Sequence, residues 1–125
     1  MSGVDLPRLA EALADFDQAF LITVGDGPAP HTVAVEPALV DGVFEIGEVG
    51  GRTSANVDRH PDVTLLWPPR ETGGYALLVD GTAEPGGDGR LRIIPAKALL
   101  HRRAVPGSAA AESGCLHDCV VFKAS

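Results

Sequence analysis

The stretch that decides the fold is GGRTSANVDRHPDVTLLW, residues 50–67. Two glycines loosen the chain, a short polar run with helical character follows, Pro61 stops it, and VTLLW (63–67) reads as a buried strand. This predicts a helix running through Asn56 to about Arg59, with Thr53 or Ser54 as its N-cap. Arg52, Thr53, Ser54 and Asn56 then gather at a helix mouth, where amide hydrogens without internal partners favour an anion. Arg52 adds a planar fork that matches the oxygens of a phosphate. The same residues also compose an ordinary helix cap beside a solvated arginine. Spacing alone leaves both readings open.

Upstream, Asp5 is placed to cap a first helix with Pro7 in its opening turn. Leu6, Leu9, Ala10, Leu13 and Phe16 give that helix one apolar stripe. AFLITV (19–24) is nearly continuous in apolar and β-branched residues, and predicts a strand buried on both sides. GDGPAP turns the chain and HTVAV (31–35) returns antiparallel. ALVDGVFEI (38–46) holds Asp41-Gly42 between two apolar arms, a two-residue hairpin signal. Downstream, YALLVDGTAE (75–84) reads as a long strand, PGGDG as a turn and RLRIIP (90–95) as another strand. AKALLHRRAV either extends that strand or forms a short helix, and CVVF (119–122) fits an edge strand. The sum is one mainly β domain over residues 1–125. It has about six antiparallel strands, an N-terminal helix and one short helix between strands. A flat sheet of that size would expose an apolar face, so closure into a barrel is expected.

At 125 residues the chain can bury a single core, and 15 glycines with 10 prolines suit many short strands and turns. A formal net charge of −7 argues against a general nucleic-acid binder, while leaving room for one local basic pocket. No apolar run approaches the roughly 20 residues that cross a bilayer. The first residues lack the basic-then-apolar layout of a signal peptide, so no membrane association is expected and the cytoplasm is the expected compartment.

Cys115 and Cys119, in CLHDC, could join His101 around zinc. A three-residue gap with histidine inside matches no usual tetrahedral clip, so no metal is expected there, and a local disulfide or two buried thiols is the better reading. Arg90, Arg92, Lys97, Arg102 and Arg103 are half of the ten Lys and Arg residues. They read as an exposed strand face, or as a partner-subunit contribution to a cofactor or substrate phosphate. Trp67, ahead of Pro68-Pro69, reads as a core plug. G-x-S-x-G, H-E-x-x-H and P-loop patterns are all missing, which suits an enzyme whose cofactor carries the chemistry.

In order along the chain, the helix, AFLITVGDGPAPHTVAV, the DG hairpin, GGRTSANVDRHPDVTLLW and LLVDGTAE resemble the pyridoxamine 5′-phosphate oxidase-like FMN-binding split barrels. The resemblance covers about residues 9–100. Gly81-Thr82-Ala83 is its second marker. It implies a split β-barrel homodimer with FMN at a two-fold interface, acting as an oxidoreductase on a small molecule. Gly51-Arg52-Thr53 stands where family members commonly carry Ser-Arg-Lys to grip the flavin phosphate. Arg52 carries over as a phosphate ligand, and a lysine in place of Thr53 would be expected to tighten FMN. The resemblance sets the strand of Thr32, Val33, Ala34 and Val35 against the isoalloxazine ring, with His31 as the one basic residue nearby. Vitamin B6 oxidase activity is not implied, because the oxidase's substrate-phosphate residues have no match. The alternatives are a related deazaflavin-coenzyme reductase, using Arg90 to Arg103 for a longer anionic tail, a non-catalytic flavin or haem binder, and a cofactor-free dimeric protein.

Overall fold

In the computed structural model, which describes residues 3–27, 29–114 and 116–124, one antiparallel sheet carries the chain. Its elements are α1 (Leu6–Leu13), β1 (Ala19–Val24), β2 (Pro30–Val35), β3 (Ala38–Val40), β4 (Val43–Ile46), α2 (Gly51–Arg59), β5 (Asp62–Trp67), β6 (Ala76–Gly87), β7 (Arg90–Arg103), α3 (Ala109–Glu112) and β8 (His117–Val121). The strand order is β2-β1-β5-β6-β7-β4-β3, with β8 also on β7. The first part of β7 pairs with β4 and its last five residues with β8, so one long strand carries both.

The sheet curls. Phe44 on β4 and Trp67 on β5 lie three strands apart in the order, yet their ring centroids are 5.4 Å apart. Between them sit Leu9, Leu21, Leu65, Leu77, Val79 and Ile93, all with no accessible surface. Trp67 is buried among them, as a core plug should be.

Several expectations hold. Asp5 accepts a hydrogen bond from the Arg8 amide at 3.2 Å and caps α1. Asp41 and Gly42 take φ of +51° and +80°, the paired positive angles of a tight two-residue hairpin. AKALLHRRAV continues β7 as far as Arg103.

Other expectations are corrected. Among the described residues the strands number eight, because the hairpin contributes two short ones and β8 forms beside β7. The PGGDG turn is narrower than its composition suggests: β6 runs through Pro85-Gly86-Gly87 and only Asp88-Gly89 reverses the chain. Glycine there loosens the register and does not end the strand. β1 is not buried on both sides. It alternates, with Ala19, Leu21 and Thr23 buried, Phe20 and Ile22 half-buried on the other face and Val24 exposed there. Helix α2 starts at Gly51 with Gly50 as N-cap, so neither Thr53 nor Ser54 caps it. No described helix is long and apolar enough to cross a membrane.

Gly81 sits where the β6–β7 register shifts. A Cβ on it would lie 2.5 Å from the Ile94 carbonyl oxygen and 2.8 Å from Ile93 Cγ2. Gly81→Ala should therefore cost about 1–3 kcal/mol. Urea unfolding followed by the fluorescence of Trp67 reads this directly, and an unchanged midpoint would refute the close approach.

Candidate functional site

Helix α2 lies across one end of the curled sheet, and its side chains divide between two surroundings. Thr53, Asn56 and Val57, spaced by three and four residues, face inward and are buried. Asn56 Nδ2 donates to Thr23 Oγ1 at 3.0 Å, tying the helix to β1. Gly25 makes room for this contact, since a Cβ there would lie 2.6 Å from Asn56 Oδ1. At the far end of α2, Arg59 and His60 both reach Asp26, at 2.9 and 3.0 Å. The hydrogen bond from His60, with the Arg59 charge beside it, lowers the Asp26 pKa below the ordinary carboxylate value.

The first turn of α2 is left open. Gly50 has no side chain with which to cap it, and the turn holds no acidic residue. The Ser54 amide bonds to the Gly50 carbonyl, whereas those of Gly51, Arg52 and Thr53 find no backbone acceptor among the described residues. Arg52 is exposed and has no hydrogen bond or ion pair among them.

The four expected phosphate residues are thus separated by the helix itself. Arg52 points to solvent and Ser54 is half-buried, while Thr53 (1% exposed) and Asn56 belong to the core. A lysine at Thr53 would have to bury its charge, so the tightening expected of that substitution loses its basis. On β2, Thr32 and Ala34 are exposed, and Val33 and Val35 turn back against the core. His31 pairs with Thr23 in register, which sets it one strand from the Asn56 contact.

A hollow of about 690 Å³ opens beside Ala34 and Val35, rimmed by Asp17, Glu36 and Glu48. Three carboxylates make that end of β2 unfavourable for a phosphate. The basic residues of β7 do not form one patch. Arg92 pairs with Glu84 and Arg102 with Asp118, and the rest are strung along a strand of roughly 40 Å.

Sequence reasoning missed Thr23 and a polar cluster at the other end of the sheet. The signal for Thr23 was its parity: within AFLITV it falls on the same face as Ala19 and Leu21. In the cluster, Tyr75 Oη donates to Asp118 Oδ2 at 2.7 Å, Arg102 Nε donates to the same oxygen at 2.9 Å, and the guanidinium lies 4.2 Å from the tyrosine ring centre. The tyrosine hydrogen bond, then the Arg102 bond and charge, lower the Asp118 pKa. The same bond raises that of Tyr75.

No family model matches the chain. Two mycobacterial proteins, each described as uncharacterized, are 51% identical to it over 134 aligned positions. One is from Mycobacterium bovis and one from Mycobacterium tuberculosis, and each match covers 95% of this chain and 94% of the relative. The chain belongs to their family. Among solved structures, a protein of Clostridium acetobutylicum related to general stress protein 26, of the pyridoxinephosphate oxidase family, has a TM-score of 0.64 at 14% identity. That match covers 94% of this chain and 93% of the other. A candidate pyridoxamine 5′-phosphate oxidase from Listeria innocua has a TM-score of 0.60 at 18% identity, covering 75% and 95%. At these identities the likeness is one of fold, and it agrees with the resemblance read from the order of motifs.

Two outcomes follow. Asn56→Ala leaves the buried Thr23 hydroxyl without its partner and should cost about 1–3 kcal/mol by denaturant unfolding. Tyr75 is the only tyrosine, so ultraviolet absorbance titration reads it alone. It should ionise above the ordinary tyrosine value of 10.0, and Asp118→Asn should bring it back down. By linkage, the Tyr75 contribution to stability is complete below that ordinary value and is lost as pH rises through the raised one. The Asp118 contribution runs the other way, present above the ordinary carboxylate value and lost as pH falls through the lowered one.

Proposed function

We propose that the chain is an FMN-binding oxidoreductase acting on a small molecule, assembled as a homodimer. The observation that carries this reading is the open first turn of α2, with three amides lacking backbone acceptors and an unpaired Arg52 beside them. Such a turn favours an anion through its amide hydrogens and its dipole together. The fold shared with pyridoxamine 5′-phosphate oxidase-family structures supports it.

The residues present fit the phosphate end of the cofactor. Arg52 would supply a charge-assisted contact, and the amides of Gly51, Arg52 and Thr53 would complete the cradle. The Thr53 and Asn56 side chains serve by fixing the helix. Thr32 and Ala34 offer small exposed side chains on β2, where a planar ring can approach the strand. When bound, the flavin supplies hydride transfer, and the chain's part is to hold and orient it. The cations of β7 are spread along the strand, and two of the five are already paired, which gives no support to a longer anionic tail.

The outer face of the sheet supports the dimer. Phe20, Ile22, Leu66, Leu78 and Leu99 are half-buried on it, and Val24, Ile94 and Val121 are 38–46% exposed. The registers set Phe20, Leu66, Leu78, Leu99 and Val121 in one apolar row across the face, beside a row in which Ile22 is followed by Thr64, Asp80 and Lys97. An apolar surface of that kind marks an association site.

Arg52→Ala should weaken FMN binding about ten- to a hundred-fold, the equivalent of one charge-assisted hydrogen bond, and leave riboflavin almost unaffected. Titration by flavin fluorescence checks both ligands. Equal losses would mean that the arginine supports the fold and binds no phosphate. Leu78→Lys, on the outer face, should halve the mass seen by light scattering, and an unchanged mass would rule out this face as the interface.

A further inference from the structure

Where β8 pairs with the end of β7, strand alternation sorts the side chains by chemistry. Arg102, Asp118 and the Tyr75 hydroxyl meet on one face, where both donors bond to Asp118 Oδ2. His101, Cys119, Arg103 and His117 take the other face, as the register pairs His101 with Cys119 and Arg103 with His117. Cys119 is a free, exposed thiol, against the expectation of a disulfide or a buried group, and Cys115 lies outside the described residues. His101 Nδ1 lies 3.2 Å from Cys119 Sγ. The His117 ring lies against that of His101, tilted by 33° with centroids 5.0 Å apart, which limits how the imidazole turns. No three metal-ligating side chains converge among the described residues.

A thiol, a base within hydrogen-bond reach and a third group that orients the base form the arrangement that activates a nucleophile. The row of His101 and Cys119 lies one step beyond Leu99 and Val121, at the margin of the apolar outer face, and stays open to solvent.

We propose that Cys119 is an oxidisable thiol, with His101 as its base and a hydroperoxide as the oxidant. The thiol proton passes to His101 Nδ1 as sulfur attacks one peroxide oxygen. An S–O bond forms and the O–O bond breaks, and the leaving oxygen takes up the proton. Sulfur is oxidised to a sulfenic acid and the hydroperoxide is reduced to an alcohol or water. This site stands apart from α2 and depends on no part of the flavin reading.

The test uses the full chain, hydrogen peroxide, and a dimedone-type trap for sulfenic acid, with labelling at each cysteine followed by peptide mass spectrometry. Native Cys119 should be labelled about tenfold faster than the same residue in urea, the gain of one charge-assisted hydrogen bond in the transition state. His101→Asn, which keeps a polar group near sulfur but cannot take a proton, should abolish the excess. Cys115→Ser should preserve it. Equal rates in the native and unfolded chain would overturn the proposal, as would an excess that survives His101→Asn or requires Cys115. Should His101→Asn fail to fold, the native-against-urea comparison decides alone.

Discussion

The hydrogen bond from Asn56 to Thr23 sets the orientation of everything at the open end of the sheet. It is a buried contact between two neutral polar groups, and breaking it would strand a hydroxyl in the core. It therefore fixes the rotation of α2 about its own axis. Once Asn56 faces inward, helical spacing sends Thr53 and Val57 inward with it and Arg52 outward. Gly25 is part of the same constraint, because any side chain there would collide with the asparagine.

This changes how the residues of 50–56 divide their work. Read as a string, Arg52, Thr53, Ser54 and Asn56 look like four ligands for one phosphate. On the helix, two of them are structural, and the anion-binding capacity rests on a guanidinium and backbone amides. The N-cap shows why the string misled. A hydroxyl residue is the usual cap, but Thr53 is needed in the core, and Gly50 takes the cap position with no side chain to occupy the amides. A capped helix would have closed its own mouth.

Much of the fold was legible in residue patterns. The Asp41-Gly42 hairpin, the Asp5 cap and the Pro61 stop are local signals, and each fixes backbone geometry over a few residues. What was not legible depends on distant partners. The inward turn of Thr23 needs knowledge of where α2 docks, and the Tyr75–Asp118–Arg102 cluster joins residues more than forty apart in sequence. The outward apolar residues of β1 were read as buried on both sides. Hydropathy records that a surface avoids water, but not whether this chain or another copy covers it. The pairing of His101 with Cys119 was hidden for a similar reason, since it follows from the β7–β8 register.

The central claim is that α2, locked by Asn56, presents its first-turn amides to an anion. Nitrogen-15 NMR of the amides during titration with FMN tests it most directly. The account predicts that the amides of Gly51, Arg52 and Thr53 shift together and saturate with a single affinity, while those around Tyr75 and Asp118 stay in place. Shifts confined to other parts of the sheet, with the three amides of α2 unmoved, would contradict it.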